Sequence, residues 1–435
     1  MIRKEYVFNI NEKATFIKKL LLWSSSFERS CFLHSNDYNS DNHKHLYPDY
    51  NLLIGIGCAD ELIVKYGEEN PFEKLKKFHS SYKDYIFGFL TYDLKNEIED
   101  LDSNNIDNLG FPYLHFFVPQ YVFVQTKDEY KLLYRDEKIN PEDLIKEINS
   151  VDISEDSKLN KIDFMPRMDK SEYLKRFNEI QRHLKRGDIY EMNFCQEFYT
   201  ENIDINPYNV FLALNNESPV PFGGFYKLGD KYLMCASPER FLKKKNNQII
   251  SQPIKGTVER GENLEEDNKI VESFRKDDKE RAENIMIVDL VRNDLSRTAQ
   301  KASVKVKELC GVYAYPQVHQ MISTVVSEKR DDIDIVDVIE TCWPMGSMTG
   351  APKISSMQII ENLELSRRGL YSGSIGYISP DKDFDFNVVI RSLLYNESKK
   401  YLSCTFGGAI TLKSEGEKEY EECLLKAKAI KKIFS

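Results

Sequence analysis

The stretch from Asp278 to Arg297, DKERAENIMIVDLVRNDLSR, constrains the fold more than any other part of the chain. At 3.6 residues per turn, Glu280, Glu283, Ile287, Leu290, Val291 and Asp294 fall along one face, while Ile285, Met286 and Val288 keep most of the remaining circumference apolar. The pattern predicts one buried helix with two carboxylates at the end of an apolar stripe. Such carboxylates need a counter-charge or a metal, because an isolated buried charge is too costly. Acid-x-x-acid spacing is common by chance in a chain with 70 acidic residues, so the pair gains weight only from its recurrence. It recurs in Gly416 to Phe434, GEKEYEECLLKAKAIKKIF, where a second helix places Glu419, Glu422, Cys423, Lys426 and Ile430 on one face. Two such helices facing one another offer oxygen ligands to a hard dication such as Mg²⁺, which takes one or two carboxylates beside water and an anionic substrate. The alternative is two solvated helix faces.

Charge and composition remove several classes of function. A net charge of −10, with Lys and Arg dispersed and not gathered into a stripe, disfavours nucleic acid as a partner. No apolar run approaches the roughly 18 residues a membrane span needs. The opening MIRKEYVFNINEK lacks an apolar h-region, so no secretory signal is expected. Eight cysteines without CxxC spacing argue for reduced thiols in a cytoplasmic protein and against a zinc site. Neither GxGxxG nor GxxxxGK[ST] follows a strand, and GxSxG and HExxH are absent, which removes dinucleotide, P-loop, hydrolase and zinc-protease readings.

Residues 1 to about 150 alternate apolar runs with polar loops: YVFNI, SCFLHS, LLIGIG, YIFGFLTYD, YLHFFVPQYVFVQ and YKLLYR read as strands. An amphipathic helix starting at Pro141 runs into a polar, acidic connector to Ser157, the expected boundary between regions 1–150 and 165–433. Beyond it, SEYLKRFNEIQRHLKRGD predicts a helix ending at Gly187. Single strands are expected for IYEMNFCQEFY, YLMCASPERFLKK and FDFNVVIRSLLYN, and IISQPIKGTVERG is read as a strand ending in a Lys-Gly-Thr turn. Many strands with antiparallel returns and interspersed helices argue for an α+β fold.

What remains is a set of polar groups at strand ends: Glu239 in SPERF, Lys255 in PIKGT, His319 in YPQVHQ, Tyr371 in RRGLYSG, Arg391 in VVIRS, and Gly407-Gly408. Taken singly, each has a plain explanation: a structural histidine, an ion-paired strand arginine, a glycine bulge. In this order, with GDIYEMNF, AENIMIVDLVRNDLSR, GSMTGAPK, FGGAI and EKEYEECLLKA, they resemble the chorismate-utilising enzymes, the family of anthranilate, aminodeoxychorismate, isochorismate and salicylate synthases. The resemblance covers residues 165–433 strongly and 1–150 through FLHSN and FGFLTYD. It implies one large unit of two antiparallel sheets packed face to face with helices outside.

The resemblance also assigns roles. Glu283 and Glu422 match Mg²⁺ ligands, with Glu280 and Glu419 beside them acting through water. Arg391, Tyr371, Ser347, Lys426, Gly256, Thr257 and backbone N–H groups around Gly407-Gly408 match the substrate-binding shell. Glu239 matches the general acid, and His319 joins it among the catalytic residues. Anthranilate-forming members have alanine where Lys255 stands. A lysine there is similar to the branch in which the amine attacks C2 of chorismate while the C4 hydroxyl departs, before ammonia attacks C4. The implied product is 4-amino-4-deoxychorismate, on the p-aminobenzoate branch of folate synthesis. The alternatives are the anthranilate-forming reaction and a non-catalytic chorismate-binding subunit. With no glutaminase segment in the chain, ammonia is expected from a glutamine amidotransferase subunit.

To act as a nucleophile Lys255 must be neutral, so burial and the metal are expected to depress its pKa below about 10.4. Two departures from the pattern stand out. Glu191 occupies the place where water-using members carry lysine and amine-using members usually carry glutamine. His34 replaces an acidic residue in the tryptophan-binding LLES-like motif of feedback-sensitive relatives.

Overall fold

In the computed structural model the described residues are 3–38, 48–126, 129–136, 138–153 and 159–434. Among them, the strands form two antiparallel sheets, one of twelve strands and one of ten. One buried cluster joins their inner faces: Leu33, Leu53, Tyr226 and Leu233 from the larger sheet pack with Phe87, Phe89, Phe241 and Ile375 from the smaller. A second cluster lies on the outer face of the larger sheet, under helices Lys13–Trp23 and Pro207–Glu217. This is the expected α+β sandwich of two sheets with helices outside.

Residues 1–150 and 165–433 interleave in both sheets. Strand Arg29–His34 pairs with Phe222–Leu228, and Ile86–Leu90 pairs with Ser374–Ile378. The connector between the regions therefore joins stretches that share a core; its residues 154–158 lie outside the described residues.

Several strands read as single are two. YLHFFVPQYVFVQ divides into Leu114–Val118 and Tyr121–Thr126, which belong to different sheets. Pro119 between them has no N–H to donate to a ladder, so the chain leaves one sheet there and enters the other. Helices Pro71–Ser80 and Leu264–Arg275 and strand Lys305–Ala314 were not expected from periodicity. Among the described residues no helix is long and apolar enough to cross a membrane.

The organising helix spans Asp278–Ser296, capped by the Asp277 side chain. It buries Glu283, Asn284, Ile287, Val288, Val291, Asp294 and Leu295 on one face only. The expectation of burial around its circumference is corrected, since Ile285 is 37% exposed and Asp289 and Arg292 form a surface ion pair. The second predicted helix, Gly416–Lys431, packs on strand Tyr401–Thr411.

Candidate active site

Glu239 and Arg391 sit where two neighbouring stretches cross from one sheet to the other. YLMCASPERFLKK forms Lys231–Ser237 in the larger sheet and Arg240–Lys245 in the smaller; FDFNVVIRSLLYN forms Phe384–Asn387 in the smaller and Ser392–Asn396 in the larger. The crossings brace each other. Val388 N–H donates to the Glu239 carbonyl at 3.0 Å and Ala236 N–H to the Arg391 carbonyl at 3.2 Å. Arg391 adopts φ +52°, a left-handed conformation that a side-chain-bearing residue takes only where its surroundings enforce it.

Sheet crossing takes these side chains out of the ladder and into the space between the sheets' ends. Glu239 is buried, and burial pushes its carboxyl up to about 7 against the opposing pull of the Ser347 hydroxyl and the Lys255 cation. Burial lowers the pKa of Arg391, while Tyr315 and Glu239 oppose that shift. Among the described residues its guanidinium has no hydrogen-bond or ion-pair partner, so its donor fork is available to an anion.

Lys255 lies within strand Ile254–Glu259, not in a turn at a strand end. The register against Val318–Glu328 breaks between Ile254 and Thr257, and Gly256 takes φ +91°. This is a bulge, a device that re-aims a side chain, and glycine supplies the left-handed residue without strain. It turns Lys255 inward while Thr257 stays exposed. The amine sits 2.7 Å from Glu191 Oε1, in a pair of which the glutamate side chain is 1% exposed. One expectation is corrected here: burial does not by itself depress the Lys255 pKa. It opposes the cation, but Glu191, Glu283 and Glu239 outweigh that effect and raise the pKa above the ordinary value.

Gly407 and Gly408 continue strand Tyr401–Thr411 against Glu191–Thr200 without a register break, so the bulge reading fails. Any side chain at Gly407 would meet Phe194 O at 2.3 Å and Cys195 Sγ at 2.4 Å. The strand pairs with Ser392–Asn396 only through Tyr401–Ser403, leaving its later residues one edge free of strand partners among the described residues. Tyr371 is buried beside it, 3.5 Å from Cys195 Sγ through its hydroxyl. Lys426 donates to Gly407 O at 2.8 Å.

Glu419 and Glu422 lie at this edge, and Glu280 lies at the bulge that carries Lys255. Glu280 Oε2 lies 2.8 Å from where a Cβ at Gly256 would stand, and Glu419 Oε2 and Glu422 Oε1 lie 3.2 and 3.6 Å from the same point at Gly408. Glu283 is buried, its Oε1 has no hydrogen-bond partner, and burial together with Glu191 pushes its carboxyl up to about 7. Burial raises Glu280 and Glu419 as well. Their common counter-charge is Lys279, 3.9 Å from Glu283, while Glu422 pairs with Lys426 at 2.7 Å. Among the described residues no three such side chains are close enough together to hold a metal as they stand. The donor set nevertheless fits a hard dication: carboxylates from two helices, one of them, Glu283, with an unsatisfied buried oxygen, and three of them, Glu280, Glu283 and Glu419, made harder to ionise by burial.

His319 is buried and its Nε2 bonds to Asp267 at 2.8 Å; Arg260 holds the same carboxylate, and Nδ1 has no partner. Sequence reasoning did not find Asp267, Lys279 or the pairing of Glu191 with Lys255. The Lys279–Glu283 pair has helical i,i+4 spacing and was legible in principle. Glu191 and Lys255 are 64 residues apart, with no local pattern to connect them.

The sequence model of the chorismate binding enzyme family matches residues 29–432. A relative in Bacillus subtilis, named aminodeoxychorismate synthase component 1, is 30% identical over 85% of this chain and 85% of its own length. The probable chloroplastic aminodeoxychorismate synthase of rice is 39% identical over 66% of this chain, which spans only 32% of that relative's length. Among solved structures, anthranilate synthase component I from Streptococcus pneumoniae TIGR4 superimposes with a TM-score of 0.77 at 26% identity, covering 87% of this chain and 91% of that one.

Proposed function

Because the chain belongs to the chorismate binding enzymes, we propose that it aminates chorismate to 4-amino-4-deoxychorismate, as an aminodeoxychorismate synthase component 1, using ammonia from a glutamine amidotransferase subunit. The observation that carries this reading is Lys255, an inward-turned amine on a bulge, close enough to Glu239 for each to shift the other's pKa.

The lone pair of a neutral Lys255 amine forms a bond to C2 of the substrate, both conjugated ring double bonds shift, and the C4–O bond breaks. Glu239 supplies the proton with which the C4 hydroxyl leaves as water. Held at about 7, it keeps a large protonated fraction near neutrality, as a general acid requires. Ammonia then attacks C4, both double bonds shift back, and the C2–N bond breaks to return the amine. Arg391 holds one substrate carboxylate in a two-pronged pair, assisted by Tyr371, Lys426, Ser347, Thr257 and the free strand edge at Gly407-Gly408. Glu283 and Glu422, with Glu280 and Glu419 behind them, would hold Mg²⁺. When bound, that ion supplies the positive charge that lets a dianionic substrate approach a nest of carboxylates.

The test is the product formed from chorismate, ammonium and Mg²⁺. A non-aromatic amine is expected. Accumulation of fluorescent, aromatic anthranilate would assign the chain to the anthranilate-forming reaction, and no turnover at all would leave only chorismate binding.

A further inference from the structure

The amine that has to attack is held as a cation by a carboxylate. Glu191 Oε1 is the hydrogen-bond partner of Lys255 Nζ, at 2.7 Å, and no other is present among the described residues. Glu191 is wholly buried, and its Oε2 has no hydrogen-bond partner. It lies on strand Glu191–Thr200, while Lys255 lies on Ile254–Glu259; these elements belong to different sheets, so the contact spans the space between them. The other charged groups that act on the amine are Glu283 from the organising helix and Glu239 from the sheet crossing.

We propose that Glu191 is a catalytic residue of this chain, the base that takes the Lys255 proton before the amine attacks and gives it back when the amine is expelled. The proposal rests on the amination reading above. Transfer from Nζ to Oε1 converts a buried ion pair into a neutral pair, so it leaves no uncompensated charge inside. The free Oε2 costs no existing hydrogen bond when the carboxyl becomes protonated.

The protons balance over the cycle. Lys255 gives one to Glu191 and forms the N–C2 bond, leaving a secondary ammonium; Glu239 gives one to the departing hydroxyl, which leaves as water. Ammonia attacks C4, and the bond pair of C2–N returns to Lys255 as a neutral amine. Glu191 reprotonates that amine, and the new C4 ammonium returns a proton to Glu239. The net change is chorismate plus ammonia to amine plus water. A glutamine in place of Glu191 accepts the same hydrogen bond but cannot take the proton, so the amine must then lose it to solvent.

That difference is measurable on full-length enzyme with Mg²⁺ and chorismate, by following the substrate adduct on Lys255 by intact mass without ammonia. In the wild type the proton passes within the pair, and that transfer is independent of pH. In Glu191→Gln the amine titrates alone. The ratio of variant to wild-type adduct rate is therefore expected to rise with pH, by up to about tenfold per pH unit below the amine pKa. Glu239 is common to both proteins and cancels in the ratio; because Glu191 also raises Glu283, the rates are compared at saturating Mg²⁺, so that a change in Glu283 does not enter the pH dependence. A merely structural Glu191 would lower the rate by one factor at every pH, and a pH-independent ratio overturns the proposal. Wild-type protein that forms 4-amino product without any Lys255 adduct overturns it too, while leaving the amination reading standing. Wild-type protein that forms only anthranilate removes both.

Discussion

Glu239→Gln should make the protein more stable and inactive at once. The carboxyl is buried at 4% exposure, and its pKa is moved from 4.5 to about 7. At about 1.4 kcal/mol per pH unit this displacement corresponds to ~3 kcal/mol that the ionised group costs the folded state. The folded protein binds this proton more tightly than the unfolded chain. The contribution is thus fully stabilising below about pH 4.5 and is lost as pH rises through about 7. Glutamine is neutral throughout and can still accept from Ser347. In urea unfolding with a chelator present, the variant should be more stable than wild type by up to ~3 kcal/mol at about pH 8, with the gap closing towards about pH 5. Turnover of the variant should fall about 10²–10⁴-fold, the usual contribution of a positioned acid. A stability difference that does not change with pH, or a variant less stable than wild type at the alkaline end, would refute the assignment of burial as the cause of the raised pKa.

Two further outcomes follow from the same site. Glu283→Gln and Glu422→Gln should each lower Mg²⁺-dependent turnover by orders of magnitude with the fold retained by circular dichroism, and Glu280→Gln and Glu419→Gln should cost less; unchanged Mg²⁺ dependence in the first two would sink the metal assignment. Lys255→Ala should abolish the adduct and leave slow formation of a 2-amino product, since the general acid and the arginine fork remain. It should also destabilise the fold by about 3–5 kcal/mol by stranding buried Glu191, a loss that Lys255→Ala/Glu191→Gln recovers in a denaturation series.

Much of this architecture could be read from residue order alone. Continuous apolar runs bounded by polar loops located most strands, since strands packed on both faces, such as Leu52–Ile56 and Ile86–Leu90, are buried end to end. The helix Asp278–Ser296 and its carboxylates were placed correctly by the 3.6 period, because that pattern is local. The identities of the polar groups at strand ends also stood in the sequence, and they carried the family.

The sequence could not show what each of those groups would meet. Glu239 and Arg391 lie in runs that look continuous, yet each marks a passage between sheets, a choice made by packing two curved sheets on one core. Lys255 was expected to be neutral because burial and a neighbouring metal both oppose an ammonium ion. A carboxylate from a strand 64 residues earlier outweighs the burial. Electrostatic interaction falls with distance in space, not with separation along the chain, so the charge state of the central amine was decided only when the two sheets closed over it.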